Sequence, residues 1–211
     1  MDSIAKKLLQ LKAFRIQCYS PFKWANGWHS PIYLDDRKIL SYPTVRDFFK
    51  LRLAHIIAEK YPNVDVIAGV AINAIAHGIL VAEQLNLPFV YVHPDPKDHG
   101  LENRIEGDLR PRQRVVIIEN QVNVGSNVLK VVEAIRNNGC IVEGVVTLFN
   151  YDFKSAKRKI QDVGVELTAL SNFDSLLKQA QELNLCSQED ITTLRTWHHA
   201  PSKWKKNANK L

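Results

Sequence analysis

A run of apolar residues leads into a carboxylate and a glycine in the stretch 115–127, VVIIENQVNVGSN. Glu119 directly follows four β-branched residues, and its carboxylate can accept hydrogen bonds from a sugar diol. Gly125 and Ser126 open a helical pattern, so the amides around them would lie at a helix N-terminus, where anions bind. The stretch therefore has the form of a phosphate-binding loop. Asparagine-rich turns also cap helices without further function, so the motif by itself leaves both interpretations open.

Two further segments follow predicted strands and carry groups that suit an anionic ligand. The first, VAINAIAHG at 70–78, would present backbone N–H groups at a helix N-terminus. Taken alone it is better explained as a plain strand-to-helix turn, with His77 as a helix-surface or packing residue rather than a ligand. The second, residues 93–110, is long, has no apolar period and carries Lys97 and His99. It is either a mobile lid that neutralises a polyphosphate leaving group and supplies a proton, or an ordinary charged loop.

Alternating strands and helices must position these three segments. The apolar runs predict strands at 64–70, 89–92, 114–118, 141–149 and 165–169, and helices at 43–60, 73–85, 126–137 and 154–162. This alternation predicts an α/β fold with right-handed crossovers and a buried parallel sheet. Ligands of such sheets bind beyond the carboxyl ends of the strands, so the three segments are expected to converge on one site.

The two ends of the chain follow other patterns. Residues 2–12 predict an amphipathic helix, and residues 20–37 predict a strand, a turn at Asn26-Gly27 and a second strand at 31–34. Two helices are predicted near 174–182 and 189–197, with Ser187 and Asp190 as a capping pair for the second. With no internal repeat and no low-complexity linker, residues 1–211 are predicted to form a single domain.

The composition is that of a soluble globular protein. Hydrophobic residues make up 45% and charged residues 24%, values ordinary for this class, and no apolar run is long enough to cross a membrane. The three cysteines lie far apart and predict neither disulfides nor a metal site, so a cytoplasmic location is expected. The net charge of +6 is concentrated at the chain ends. Solvated termini explain it better than nucleic-acid binding, because no recognition motif accompanies it.

Five segments make the chain resemble the orotate phosphoribosyltransferases over nearly all of its length. They are FKWANGWHSPIYLDDRKILSYP, VDVIAGVAINAIAHGILVAEQLNLPFVYV, KDHGLENRIEGDL, VVIIENQVNVGSN, which falls on the family's phosphoribosyl-pyrophosphate signature, and RTWHHAPSKW. The resemblance implies the type I phosphoribosyltransferase fold, a twisted parallel sheet core flanked by helices at about 41–171 with a small hood from about 1–40 and 172–211. It also implies a homodimer in which the long loop closes over the partner subunit's site.

The same resemblance implies a reaction and roles for named residues. Orotate and phosphoribosyl pyrophosphate would give orotidine 5′-monophosphate and pyrophosphate, a step of pyrimidine biosynthesis that uses Mg²⁺. Lys97 and His99 would act from the lid, and Glu119 would bind the ribose hydroxyls and reach the metal only indirectly. The substrate-binding positions are Ser30, Tyr33 and Arg37 at the orotate end, Ile72, Asn73 and Ala74 beside the pyrophosphate, Val124, Gly125, Ser126 and Asn127 within a 5′-phosphate cradle at 124–128, and also Asn120 and Asn123.

The chain departs from the family pattern at several of these positions. The substitutions are Asn120 for the second acid, Val124 for a threonine, Ser126 for the second glycine, Ile72 for a small residue, His93 for an arginine and His29 for a lysine. Each lost charge-assisted contact to phosphate or magnesium would cost roughly 1.5–3 kcal/mol. Two hypotheses follow: an orotate phosphoribosyltransferase with impaired or lost activity, and a catalytically silent paralogue that binds a ligand or regulates a partner subunit.

Overall fold

The computed structural model describes residues 3–24, 26–96 and 103–204. The α-helices in these ranges are α1 (Ser3–Gln10), α2 (Pro43–Lys60), α3 (Ile75–Leu85), α4 (Ser126–Asn137), α5 (Lys154–Asp162), α6 (Phe173–Glu182) and α7 (Gln188–His199). The strands are β1 (Phe14–Ile16), β2 (Phe22–Lys23), β3 (His29–Ser30), β4 (Ile32–Leu34), β5 (Val66–Val70), β6 (Phe89–Val92), β7 (Ile105–Glu106), β8 (Arg114–Val122), β9 (Ile141–Asn150) and β10 (Glu166–Asn172).

The chain divides into two compact units. The terminal unit comprises Met1–Ser41 and Phe173–Leu211, and the central unit comprises Tyr42–Asn172. The assignment of the whole chain to a single phosphoribosyltransferase domain remains a prediction. None of the helices in the described residues is long and apolar enough to span a lipid bilayer.

A six-stranded sheet in the order β10-β9-β8-β5-β6-β7 forms the core of the central unit. Its first five strands are parallel, as their continuous apolar runs predicted, and every residue of β5 is buried. The sixth strand differs from the prediction. Ile105 and Glu106, within the segment expected to be a loop, form β7 and pair antiparallel with β6. Two residues are too few to show any periodicity, so no pattern in the sequence indicates this edge strand.

Strand β8 is four residues longer than its apolar run, because the neighbouring strand continues alongside it. Its pairing with β5 ends at Ile118, whereas its pairing with β9 runs on from Glu119, opposite Thr147, to Val122, opposite Asn150. Asparagine and glutamine are poor strand formers in isolation, so the prediction placed the strand end at 118. The ladder with β9 holds this polar segment extended beyond the end of β5.

Helix α2 shows how the sequence sets the helices of the central unit. Pro43 occupies the first turn, where its missing N–H costs nothing, and the helix ends at Lys60 as predicted. Phe49, Leu53 and Ile57 recur at helical spacing and are fully buried. Helix α3 packs against α2 and β5.

The terminal unit contains two small antiparallel sheets, α1 packed on α6, and α7. The predicted turn at Asn26-Gly27 is closed by β2 and β3, and Gly27 adopts the left-handed conformation that the turn requires, with φ of 83°. The predicted second strand at 31–34 was assigned the wrong partner: β4 pairs with β1, a three-residue strand too short to predict. The capping pair is confirmed, since the Ser187 and Asp190 side chains bond each other's backbone amides.

Candidate functional site

Three neighbouring strands of the central unit end at one edge of the sheet. Strand β5 lies between β8 and β6, with Gly69 opposite Ile118 and Val70 opposite Val92. Parallel strands lie about 4.8 Å apart, so the segments that follow them emerge side by side. This edge brings together Ile72–Ala74 and the 119–127 stretch, together with the first residues of the long segment. Lys97 and His99 lie outside the described residues.

Glu119 is the first residue of β8 beyond the end of its β5 ladder, and it is buried. Its Oε1 accepts the N–H of Asn120 at 2.9 Å, which fixes the carboxylate against its own backbone. Asn120 is also buried, and its Oδ1 accepts the N–H of Gln121 at 2.9 Å. The Gln121 Oε1 in turn accepts the Tyr151 hydroxyl at 3.3 Å. The polar end of β8 is therefore held by hydrogen bonds along its whole length.

The turn after β8 delivers a helix whose N-terminus has no side-chain cap. Asn123 Oδ1 accepts the N–H of Val124 at 2.6 Å, and Gly125 follows with φ of 78°. This left-handed conformation favours glycine, and Gly125 is the N-cap residue of α4. The first-turn N–H groups, from Ser126 to Val128, have no partner within the helix and lie at the positive end of its dipole. Together they form a concave set of donors suited to a phosphate.

The turn after β5 has a similar form but a different surface. The Ala71 N–H donates to Val92 O at 2.9 Å and the Ala74 N–H to Val70 O at 3.0 Å, which ties the turn to β6 and to the end of β5. Helix α3 also begins without a side-chain cap. Ile72 is 77% exposed, and Asn73 is exposed beside it, whereas Ala74 is buried. A large apolar side chain thus borders the backbone donors of this turn.

His77, in the first turn of α3, is a packing residue, one of the two interpretations that the sequence left open. The imidazole is buried, and burial lowers its pKa from 6.5 to about 4. It is therefore neutral at physiological pH and supplies no charge to the edge of the sheet.

A cluster that the sequence did not predict fixes the base of the long segment on α4. The His93 N–H donates to Arg104 O at 2.7 Å, and the Arg104 guanidinium donates to the carbonyls of His93, Pro94 and Lys130. The Lys130 ammonium lies 2.5 Å from the Asp95 carboxylate. The two ends of the segment that contains Lys97 and His99 are thereby attached to the helix that carries the phosphate donors. No spacing in the sequence indicates the contacts of Arg104, because its partners are backbone carbonyls.

The orotate-end residues named from the resemblance all lie in the terminal unit. Ser30 is buried; its hydroxyl donates to Ile32 O at 2.7 Å and accepts the Ile32 N–H at 3.2 Å, so it stabilises the local backbone. The Tyr33 ring lies 5.5 Å from that of Phe22. Arg37 is bonded to Asp35 at 2.7 Å, and this hydrogen bond and the Asp35 charge raise the pKa of Arg37.

The polar end of β8 does not fit a magnesium site built by the protein. Glu119 supplies one carboxylate with an oxygen already bonded to the backbone, and Asn120 is neutral. Across the described residues, no group of three or more histidine, cysteine, aspartate or glutamate side chains could hold a metal ion. Mg²⁺ is typically bound through one or two carboxylates together with substrate phosphates.

Comparison with known proteins gives a consistent result. An orotate phosphoribosyltransferase of Phocaeicola vulgatus is 49% identical over 201 residues, 95% of this chain and 95% of that protein. One from Cytophaga hutchinsonii is 40% identical over 203 residues, covering 96% of this chain and 97% of that protein. No protein-family model matches the chain.

Solved structures show the same architecture. The orotate phosphoribosyltransferase of Aeropyrum pernix superposes with a TM-score of 0.75 at 24% identity, covering 87% of this chain and 99% of that one. The Leishmania donovani UMP synthase gives a TM-score of 0.79 at 25% identity, covering 93% of this chain and 42% of that one. The α/β chain therefore has the type I phosphoribosyltransferase fold that the resemblance implied.

Proposed function

The chain belongs to the orotate phosphoribosyltransferase family, and from this premise we propose that it converts orotate and phosphoribosyl pyrophosphate to orotidine 5′-monophosphate and pyrophosphate. One observation carries the proposal. A buried carboxylate, Glu119, stands four residues before the turn that opens α4, whose N-terminus has no side-chain cap. A ribose 5-phosphate needs this pair of features, an acceptor for its diol and donors for its phosphate.

The proposed binding mode assigns each end of the ligand to one element. The first-turn amides of α4, at Ser126–Val128, hold the 5-phosphate at the positive end of the helix dipole. Glu119 accepts hydrogen bonds from the two ribose hydroxyls. The backbone of Ile72–Ala74, on the neighbouring strand end, borders the pyrophosphate. These three elements are fixed by the sheet, which supports their role in orienting C1 of the ribose.

In the proposed reaction the bond between C1 and the pyrophosphate oxygen breaks, and its electron pair leaves with pyrophosphate. A bond from C1 to the orotate ring nitrogen forms in the same displacement, and the N–H bond of that nitrogen breaks, its proton passing to solvent. Positive charge develops on the ribose ring, so catalysis rests on positioning and on neutralising the leaving group. We assign that second role, by resemblance, to Lys97 and His99. Ser30, Tyr33 and Arg37 form the orotate end by the same resemblance, Ser30 through the backbone it stabilises.

Magnesium enters this proposal with the substrate. Because the residues at the end of β8 do not fit a protein-built metal site, we propose that Mg²⁺ is carried by the oxygens of phosphoribosyl pyrophosphate. We also propose that the protein is a homodimer that shares its long loop between subunits, as the resemblance implies. Sedimentation velocity tests this directly: a single species of about 24.1 kDa, the mass of one chain, would contradict it.

A second candidate function is ligand binding without turnover, as a regulatory partner subunit. Two observations favour it. Asn120 supplies no charge where the family has an acid, and Ile72 exposes an apolar side chain beside the pyrophosphate turn. Both substitutions affect the leaving-group end and leave the 5-phosphate donors, which are backbone amides, in place.

Calorimetric titration combined with an orotate absorbance assay separates the two candidates. Saturable binding of phosphoribosyl pyrophosphate with consumption of orotate supports the enzyme. Binding without consumption supports the regulatory subunit. Absence of binding up to millimolar ligand contradicts both. Ribose 5-phosphate serves as the matched ligand that lacks the pyrophosphate, and its affinity reports the α4 donors alone.

A further inference from the structure

We propose that Trp197 of α7 is a positioning residue for the orotate end of the site, acting through the hairpin formed by β2 and β3. The proposal rests on the function proposed above and assigns a role to a residue of a helix that carries none of the substrate positions. Trp197 is fully buried, and its indole Nε1–H donates to the backbone carbonyl of His29, in β3, at 3.0 Å. These two residues are 168 positions apart in the chain.

The hairpin needs an anchor from outside itself. Each of its strands has two residues, and two-stranded hairpins of this size are at most marginally stable in water. Inside the hairpin, the Trp24 N–H donates to Trp28 O and the Gly27 N–H to Trp24 O, at 2.8 and 2.9 Å. These bonds close the turn but do not fix the direction in which the hairpin projects.

The indole ring of Trp197 supplies that direction by contacting both sides of the hairpin. Its N–H binds β3 at His29, and its ring packs edge-on against Trp24, just after β2, with centroids 5.7 Å apart at 89°. On the opposite side, the Phe173 ring centroid lies 5.9 Å from that of Trp197, and the His198 ring stacks on Phe173 with centroids 4.0 Å apart. A partly buried hydrogen bond and an aromatic cluster thus hold one hairpin at two points.

The consequence concerns the residues that the hairpin carries or precedes. His29 has an exposed side chain, Ser30 is buried, and the next strand bears Tyr33, so the carbonyl held by Trp197 lies at the start of the predicted orotate segment. Loss of the indole N–H would leave the His29 carbonyl without this donor and allow the segment to shift. Orotate affinity is therefore expected to depend on Trp197, and phosphoribosyl pyrophosphate affinity is not.

The test compares Trp197→Phe with Trp204→Phe in the full-length protein. The first variant keeps an aromatic ring and removes the N–H donor; the second removes an indole seven residues further along the chain. We expect Trp197→Phe to raise the KM or the calorimetric Kd for orotate about threefold to tenfold, with the value for phosphoribosyl pyrophosphate unchanged. Trp204→Phe is expected to change neither. Hydrogen exchange at the Trp24 amide should accelerate in Trp197→Phe alone.

Each other outcome has a distinct meaning. If Trp197→Phe keeps wild-type affinity for orotate, the positioning role is wrong and the proposed function stands. If the variant loses affinity for both substrates equally, Trp197 has a general structural role and the proposal is also wrong. If the wild-type protein binds phosphoribosyl pyrophosphate but no orotate, the proposed function fails, and the role assigned to Trp197 fails with it.

Discussion

Replacing Glu119 with glutamine tests the assignment of the ribose acceptor. The substitution keeps the shape of the side chain and removes its charge. One carboxylate oxygen, Oε1, already accepts the Asn120 N–H at 2.9 Å, so the ligand relies mainly on the remaining lone pairs. A hydrogen bond to a charged group contributes about 1.5–3 kcal/mol. Hydrogen bonds from two ribose hydroxyls to this carboxylate then contribute about 3 kcal/mol to the binding free energy, which corresponds to about a hundredfold in affinity.

The assay is calorimetric titration with phosphoribosyl pyrophosphate, with the melting temperature measured in parallel. Glu143→Gln serves as the control, because Glu143 lies on the adjacent strand and pairs with Arg114 at 3.0 Å, away from the polar end of β8. We expect Glu119→Gln to bind about a hundredfold more weakly while Glu143→Gln binds normally. Unchanged affinity in a folded Glu119→Gln protein would refute the assignment of Glu119 to the ribose.

Substitutions at Gly125, His77 and Asn120 test other parts of the structure. Gly125→Ala forces an alanine into the left-handed region at φ of 78°, and the control Gly164→Ala does the same at 67° in open space. Both variants should lose about 1–2 kcal/mol of unfolding free energy in chemical denaturation. Gly125→Ala alone should weaken the binding of ribose 5-phosphate. Burial lowers the pKa of His77 from 6.5 to about 4, so the free energy of unfolding should be highest above pH 6.5 and should fall by about 3 kcal/mol as the pH drops towards 4. His77→Leu should flatten the pH dependence of the unfolding free energy between pH 6.5 and 4. An unchanged slope in this variant would contradict the assignment of the pH dependence to His77. Asn120→Asp restores a carboxylate beside Glu119 and should make binding of phosphoribosyl pyrophosphate more dependent on Mg²⁺, an effect that titration with and without a chelator would detect or exclude.

The sequence predicted the elements whose own residues determine them. The continuous apolar runs of the parallel strands and the 3.6-residue periodicity of α2 appear in the structure at nearly the predicted bounds. The elements that it missed are held by partners distant in the chain. Strand β1 forms because it pairs with β4, and β7 forms because it pairs with β6 at the edge of the sheet. The last residues of β8 are extended because β9 pairs with them beyond the end of β5. No local pattern contains that information.

The candidate site also combines features that the sequence predicts with features that depend on partners distant in the chain. The topology of the sheet made it predictable that the 70–78 and 115–127 segments would meet at one edge, because parallel strands share their carboxyl ends. The resemblance named the residues, and their roles remain predictions. The hydrogen bonds of Arg104 to three carbonyls and of Trp197 to His29 were unpredictable, since a backbone acceptor leaves no trace in the residue types.

A single-turnover experiment is the sharpest test of the proposed reaction, because it detects even slow chemistry. Protein in excess over phosphoribosyl pyrophosphate is mixed with orotate and Mg²⁺, and orotidine 5′-monophosphate and pyrophosphate are quantified over time. We expect equal amounts of the two products, formed by the wild-type protein and lost in Glu119→Gln. Bound phosphoribosyl pyrophosphate that never yields orotidine 5′-monophosphate would contradict the proposed enzymatic activity and would favour ligand binding by a regulatory subunit.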